Sequence, residues 1–217
     1  MQVPVGMCGI ILAAGESSRM GTDKALLPWP PSSPDALAPS RHTLLSAAIL
    51  ALEPHTRVVV VVAGKNADTL AATVGACAAY MVRNPDPGRG QFSSLQIGLR
   101  AALDHGCDSA MITPVDCPPL SQSSLALLCA AFQRALLRGL WAVAPENNGK
   151  HGHPLLISRE LIGELIDAPV TANARDFLHA HPDRIVYIPV PDDLSRAGMN
   201  TPEEYAAYAD ETPPPSN

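Results

Sequence analysis

The chain has 217 residues and a mass of 22.8 kDa; 47% of its residues are hydrophobic and 17% are charged, with 15 basic and 21 acidic residues giving a net charge of −6. The apolar fraction can bury a core, which argues against a disordered chain, and the acidic balance argues against a nucleic-acid-binding groove. No apolar run reaches the roughly 18 residues of a membrane span, and the five cysteines form no C-x-x-C pair. We therefore predict a cytoplasmic protein with buried free thiols that binds neither nucleic acid nor membrane.

Short β-rich segments alternate with Ala- and Leu-rich segments of helical periodicity. The pattern predicts strands at Cys8–Ala13, Arg57–Ala63, Ala79–Val82, Ala110–Thr113, Trp141–Ala144, Pro154–Ile157 and Ile185–Pro189. It predicts helices at Thr43–Leu52, Asn66–Val74, Ser93–His105, Ser121–Arg138, Arg159–Asp167, Ala172–Ala180 and, with Thr201 as N-cap, Pro202–Ala209. Fully apolar strands are typical of a parallel sheet covered on both faces. We expect an α/β fold with three layers and a mostly parallel open sheet, as one domain over residues 1–210 with a flexible tail over residues 211–217.

A proline-rich segment follows the first strand region. Five prolines lie between Pro28 and Pro39, and they predict an irregular surface loop. Such a loop is either a lid over a neighbouring site or a neutral insertion.

A glycine-rich turn comes directly after the first predicted strand. Gly15 and Gly21 permit sharp turns that aim backbone N–H groups at an anion, and Arg19 and Lys24 add cations suited to phosphate oxygens. The spacing fits neither a P-loop, G-x-x-x-x-G-K-S/T, nor the dinucleotide motif G-x-G-x-x-G. The residues alone leave two interpretations open: a nucleotide-phosphate loop, or a strand-to-helix connection with solvated charges.

The run Leu12-Ala-Ala-Gly-Glu-Ser-Ser-Arg-Met-Gly-Thr-Asp-Lys-Ala-Leu-Leu-Pro28 resembles the signature L-A-A-G-x-S-x-R-M-G-x-x-K-x-L-L-P of molybdenum-cofactor-type nucleotidyltransferases. That family includes molybdopterin cytidylyltransferases and guanylyltransferases and is related to sugar-phosphate nucleotidylyltransferases. The resemblance implies a Rossmann-like, GT-A-like fold. It also implies that nucleotide binding involves Leu12, Ala13, Ala14, Gly15, Arg19 and Lys24, the last two being catalytic as well.

A second loop extends the resemblance. Arg83-Asn-Pro-Asp-Pro-Gly-Arg-Gly-Gln-Phe-Ser-Ser-Leu95 resembles the family segment N-P-x-x-x-x-G-x-x-x-S, which faces the base and ribose. It implies nucleotide contacts from Asn84, Ser93 and Ser94. Judged without the family, one of these serines is simply an N-cap of the next helix.

Two segments resemble the family's metal-binding motifs. Met111-Ile-Thr-Pro-Val-Asp-Cys-Pro-Pro-Leu120 contains a P-x-D-x-P pattern, which implies that Asp116 is a catalytic residue and ligates Mg²⁺. Gly198-Met-Asn-Thr-Pro-Glu-Glu-Tyr205 resembles the ending D-x-D/N-T-P-E-D/E, which implies that Asn200 is the second metal ligand. The alternatives are that Asp116 is a turn residue and that Asn200 only turns the chain before Thr201.

Two further segments resemble the acceptor-binding motifs, with departures. Lys150-His-Gly-His-Pro-Leu-Leu156 resembles R-G-H-P-V/L with His151 in place of Arg, and Thr171-Ala-Asn-Ala-Arg175 aligns with G-x-x-G-A-R but lacks both glycines. The resemblance implies that His153 and Arg175 contact the acceptor. His153 is alternatively a buried structural histidine.

The resemblance implies a Mg²⁺-dependent enzyme that moves CMP from CTP to a phosphorylated pterin, molybdopterin or its molybdenum form, and releases pyrophosphate. GTP-dependent guanylyl transfer and a sugar-phosphate acceptor are alternatives, and Asn200 keeps them open because guanylyltransferase-like and sugar-nucleotide members often carry Asn there. The alternative from another class is a non-catalytic chaperone that holds molybdopterin for a molybdoenzyme client.

Overall fold

The computed structural model of the chain describes residues 6–15, 22–31, 42–193, 198–199 and 201–208. Two of the predicted site residues, Arg19 and Asn200, lie outside the described residues, as does the predicted tail over residues 211–217. Within those ranges, no helix is both long enough and apolar enough to cross a membrane.

The centre of the fold is a mixed sheet of eight strands. The strands are β1 (Met7–Ala13), β4 (Val58–Ala63), β5 (Tyr80–Arg83), β6 (Ser109–Pro114), β7 (Ala142–Asn147), β8 (Lys150–His151), β9 (Leu155–Ser158) and β10 (Ile185–Pro189), in the order β10-β7-β9-β6-β1-β4-β5 with β8 paired to β7. Strand β1 pairs in parallel with β4 and β6, β4 with β5, and β10 with β7. Only β8 and β9 run antiparallel to their neighbours in this described sheet, which confirms the mostly parallel prediction.

Helices cover both faces of the sheet. They are α1 (Leu44–Leu52), α2 (Ala67–Ala76), α3 (Gln91–Asp104), α4 (Gln122–Leu137), α5 (Arg159–Asp167), α6 (Ala174–Ala180) and α7 (Pro202–Ala206). Because side chains alternate along a strand, β1 sends Met7 and Ile11 into one apolar cluster with α1, α2 and α4, and Cys8 and Ile10 into another with α3 and α5. These two cores confirm the three layers.

Three local predictions have different outcomes. The segment predicted as an irregular loop begins as a strand, β2 (Pro28–Trp29), paired antiparallel with β3 (His42–Thr43); a proline is tolerated there as the first residue of a short strand. Residues 32–41 lie outside the description. The prediction that Ser93 or Ser94 caps a helix is wrong, because α3 begins earlier and its N-cap is Gly90. Thr201 is confirmed as the N-cap of α7.

The cysteine prediction is confirmed with one exception. All five cysteines are free; four are buried, and Cys77 is half-buried.

The last helix packs against the segment that follows Lys24. The Tyr205 hydroxyl donates a hydrogen bond to the Pro28 carbonyl oxygen at 2.5 Å. The rings of Trp29 and Tyr208 meet edge to face, with centroids 5.3 Å apart. The C-terminal end of the described chain therefore closes onto β2.

Candidate active site

A cleft of about 280 Å³ opens at the carboxyl ends of β1 and β6, where open α/β sheets bind their ligands. Its lining comprises Leu12, Ala13, Ala14, Gly15, Asp23, Lys24, Pro87, Gly90, Gln91, Ser94, Pro114, Val115 and Asp116. The structure thus brings together the end of β1, the turn that carries Lys24, the start of α3 and the loop after β6. Most of the predicted nucleotide-binding residues that the structure describes lie on this surface.

Lys24 and Asp116 form an ion pair across the cleft. Their Nζ and Oδ2 atoms are 3.2 Å apart, and their side chains are 13% and 27% exposed. Lys24 lies on a single 3₁₀ turn (Lys24–Leu26), and Asp116 follows β6 in a loop whose Val115 N–H donates to the Leu12 carbonyl oxygen. The pair joins a cation suited to phosphate with a carboxylate suited to a divalent cation.

The segment that leads to Asn200 lies against Asp116. The backbone N–H of Met199 donates to the Asp116 carbonyl oxygen at 3.0 Å, and the Met199 side chain is fully buried. The last described residue before Asn200 is therefore fixed beside the loop of the predicted metal ligand.

Asn84 and the two serines form a buried hydrogen-bonded group behind one wall of the cleft. The Asn84 side-chain nitrogen donates to the hydroxyls of Ser93 and Ser94, each at 2.9 Å, and its oxygen accepts from the Asp86 N–H. The Ser93 hydroxyl in turn donates to the Gly90 carbonyl oxygen. Of the three predicted residues only Ser94 lines the cleft. The hydrogen bonds of Asn84 and Ser93 hold the start of α3 in place.

Gly90 lines the cleft and is the N-cap residue of α3. Its φ is +95°, in a region that glycine adopts at no steric cost. As N-cap it offers no side chain to the N–H groups of the first turn, and a ligand anion is the natural partner of such groups.

His153 lies in the short connection between β8 and β9. Burial lowers its pKa, while the Ile112 backbone and the Asp116 carboxylate raise it, and the balance lies below the usual value. The ring is therefore mostly neutral at pH 7. Its buried Nδ1 has no hydrogen-bond partner among the described residues. The Asp116 carboxylate influences the ring electrostatically, but His153 is not among the residues that line the described cleft.

Arg175 is exposed at the start of α6 and is not among the residues that line the described cleft. Its backbone N–H donates to the Asn173 side-chain oxygen at 2.9 Å. Neither of the two predicted acceptor residues lines the described cleft; of the two, His153 interacts electrostatically with Asp116.

Cys117 immediately follows Asp116 but does not add a nucleophile. Burial, with a further contribution from Asp116, raises the pKa of its thiol to about 12. The thiol therefore stays protonated at pH 7, and a thiol is a poor nucleophile.

The sequence prediction missed Gly64 and Asn66, which follow β4. A Cβ on Gly64 would lie 2.8 Å from the Ala14 carbonyl oxygen, so only glycine allows this close approach. Asn66 contacts both β1 and Asp23 through its side chain. The signal available in the sequence was a polar residue two positions after a glycine at the end of a buried strand.

The MobA-like NTP transferase domain matches residues 9–185, which include most of the chain and every described residue that lines the cleft. The chain belongs to this family. It is accordingly a nucleotidyltransferase-family protein, and the family resemblance seen in the sequence is confirmed.

Individual relatives agree with this assignment. The chain is 28% identical over 170 residues to the molybdenum cofactor cytidylyltransferase of Escherichia coli, covering 78% of this chain and 79% of the relative. It is 30% identical over 173 residues to a probable molybdenum cofactor guanylyltransferase of Mycobacterium tuberculosis, covering 79% and 77% of the two chains.

A solved structure shares the fold. The structure of Rv0371c from Mycobacterium tuberculosis matches with a TM-score of 0.71 at 18% identity, covering 95% of this chain and all of that one. A second structure of Rv0371c, with a TM-score of 0.65, is a complex with manganese.

Proposed function

We propose that the protein transfers CMP from CTP to the phosphate of a pterin acceptor, molybdopterin or its molybdenum form, and releases pyrophosphate. The observation that carries this proposal is the Lys24–Asp116 pair, 3.2 Å apart in a cleft at the carboxyl ends of β1 and β6. The same transfer from GTP is the second candidate, because a guanylyltransferase is among the relatives at 30% identity. The proposed place of action is the cytoplasm, and the proposed product would pass to a molybdoenzyme client.

The reaction needs positioning and charge stabilisation more than covalent catalysis. The acceptor phosphate is largely ionised at pH 7, because its second pKa is about 6. One of its oxygens attacks the α-phosphorus in line, a new P–O–P bridge forms, and the bond to the β-phosphate breaks with its electron pair leaving on pyrophosphate. Holding both phosphates in line removes most of the entropic part of the barrier.

The cations and N–H groups of the cleft would stabilise the charge that develops. Lys24 would neutralise phosphate oxygens, together with Arg19. Leu12, Ala13, Ala14 and Gly15 would contact the nucleotide along the end of β1. Ser94 and the first turn of α3 would form the opposite wall, with Asn84 and Ser93 behind it.

Asp116 fits a divalent metal by the chemistry of its donors. One carboxylate oxygen accepts from Lys24, which leaves the second oxygen to a hard cation such as Mg²⁺. Asn200, one residue beyond the Met199–Asp116 contact, would add an amide oxygen. When bound, the metal would supply Lewis-acid stabilisation of phosphate charge. A divalent metal is further supported by Rv0371c, which shares this fold and was solved in complex with manganese.

The acceptor would bind on the side of His153. Its buried Nδ1 offers a hydrogen bond that the described protein groups do not use, and a polar pterin can supply the partner. Arg175 would reach the acceptor only if α6 moves toward the cleft or if the acceptor extends as far as α6.

Pyrophosphate release tests the proposal. The full chain is incubated with Mg²⁺, molybdopterin and one of CTP, GTP, ATP or UTP, and the dinucleotide product is identified by mass spectrometry. We expect release with CTP above all, and CTP with Mg²⁺ should also give the largest rise in Tm. Preference for GTP would replace the nucleotide in the proposal. Tight retention of molybdopterin with no pyrophosphate from any NTP would establish the chaperone alternative instead.

A further inference from the structure

Asn66 stands at the N-cap of α2 but does not cap its helix. Asparagine is favoured at this position because its side-chain oxygen normally accepts from an N–H of the first turn. Here that contact is not made. The side chain is used elsewhere.

The Asn66 amide connects three segments at the edge of the cleft. Its oxygen accepts from the Gly64 N–H at 3.0 Å. Its nitrogen donates to the Ala13 carbonyl oxygen at 3.0 Å and to Asp23 Oδ2 at 2.7 Å. Both N–H groups of the amide are thus used, one for β1 and one for the residue before Lys24.

Asp23 passes this restraint on to Lys24. Its Oδ1 accepts from the Ala25 N–H at 3.0 Å, while its Oδ2 accepts from Asn66. The residues on both sides of Lys24 are therefore fixed by one carboxylate that Asn66 orients. The 3₁₀ turn has only three residues, and hydrogen-bond geometry in such turns is poorer than in an α-helix.

We propose that Asn66 is a positioning residue that sets the Lys24 ammonium for phosphate, acting through Asp23. Asn66 makes no contact with Lys24 or Asp116 in the described hydrogen bonds, so its effect would pass through the turn. Its kinetic consequence rests on the proposed function; its structural consequence, the fixed place of the Lys24 amine, does not.

A reciprocal exchange tests the link. In Asn66→Asp, two carboxylates face each other and the bond to Asp23 is lost. In Asp23→Asn, one amide must serve both the Asn66 nitrogen and the Ala25 N–H, and its single oxygen cannot. The double variant D23N/N66D restores the contact between the two side chains with donor and acceptor exchanged, and the residue 23 oxygen again accepts from Ala25. Its cost is at Ala13, whose carbonyl oxygen then faces a carboxylate oxygen in place of an N–H donor.

We expect each single variant to lower kcat by about 30-fold with the KM for the nucleotide within about threefold, since a displacement near 1 Å can reduce a rate about 100-fold. The double variant should return kcat to within about fivefold of the wild type. A purely structural role for Asn66 would instead lower Tm without this reciprocal recovery of kcat.

Labelling of Lys24 gives a second readout that does not depend on turnover. Acetic anhydride at limiting concentration acetylates exposed amines, and peptide mass spectrometry gives the rate at Lys24 relative to Lys150, which lies on β8. We expect the relative rate to rise at least about threefold in either single variant, as the ammonium leaves Asp116, and to return in the double variant.

Asp68→Asn is the matched control. Asp68 is on the same helix, its side chain is 91% exposed, and its partner is Arg83 rather than a residue of the cleft. This variant should leave both kcat and Lys24 labelling unchanged.

The proposal is overturned if the single variants keep wild-type kcat and labelling, or if the double variant is no better than the worse single one in both readouts. A wild-type protein that releases no pyrophosphate would contradict the proposed function alone, because the labelling comparison would still decide the role of Asn66. If Asn66→Asp fails to fold, Asp23→Asn and the double variant give the same comparison.

Discussion

The regions proposed for the nucleotide and for the acceptor are built differently. In the region proposed for the nucleotide, Asn66 makes three hydrogen bonds, Lys24 pairs with Asp116, and Asn84 bonds to both serines of α3. In the region proposed for the acceptor, the buried Nδ1 of His153 has no partner among the described groups, and α6 buries none of its residues.

This difference shows how preorganisation is distributed. Fixed dipoles and charges stabilise a transition state without reorganising at the moment of reaction, and under the proposed function the phosphates of the nucleotide would meet such a surface. A buried polar atom without a partner costs about 1–3 kcal/mol. Under the proposed function, an acceptor that bonds to His153 would recover that cost.

The largest effect is expected from removing Asp116, the proposed metal ligand. Asp116→Ala should lower pyrophosphate release by at least about 1,000-fold, because it removes the proposed metal ligand and the partner of Lys24. Tm should change little, since the side chain is partly exposed in a loop. Asp108→Ala, at the opposite end of β6, is the control and should retain activity. Turnover near the wild-type rate in Asp116→Ala would remove Asp116 from the mechanism.

The acceptor side should respond in a different kinetic parameter. His153→Ala is expected to raise the KM for the pterin acceptor about 30-fold, while the KM for the nucleotide changes less than twofold, because about 2 kcal/mol is typical of a lost buried hydrogen bond. Initial rates with each substrate varied in turn separate the two constants. Equal changes in both would show that the two sides are not independent.

A smaller effect is expected where the loops after β1 and β4 meet. Gly64→Ala places a methyl group 2.8 Å from the Ala14 carbonyl oxygen, and such overpacking costs about 1–3 kcal/mol. We expect a lower free energy of unfolding and a KM for the nucleotide raised about tenfold. Gly75→Ala is the matched control, because an added Cβ there meets nothing within 4 Å; in a helix it should stabilise by about 0.5–1 kcal/mol. Urea unfolding measures both variants.

The smallest effect is expected at Arg175. Arg175→Ala should change the KM for the acceptor by less than about threefold, because the side chain is exposed and solvent screens its charge. Arg134→Ala on α4 serves as the control for a general change in charge. A large, acceptor-specific increase would show that α6 moves onto the cleft when the acceptor binds.

The sequence was a good guide to the fold because its signals are local. The apolar run at β4 and the periodicity of α3 each identify an element, and parallel strands then bring their carboxyl ends to one edge. Lys24 and Asp116 were predicted separately through the family resemblance, and the structure places them 3.2 Å apart.

The predictions were weaker where a side chain serves a distant segment. Asn66 is predicted only as the first residue of a helix, and the structure reveals that its amide turns to Ala13 and Asp23. Asn84 reads as a ligand-facing residue, but it is 3% exposed and bonded to protein groups. Long-range hydrogen bonds of this kind leave no periodic trace in a sequence.

The contact between Tyr205 and Pro28 has a consequence for the order in which the protein is made. The two residues are 177 positions apart, and a ribosome supplies the chain from its N-terminus at about 5–20 residues per second. β2, directly after the Lys24 turn, therefore emerges long before its aromatic partners do. By the time Tyr205 is synthesised, every described residue that lines the cleft has been made, since the last of them is Asp116. Closure of α7 onto β2 therefore follows the synthesis of the described cleft, and a nascent chain that stops short of residue 205 leaves β2 without this contact.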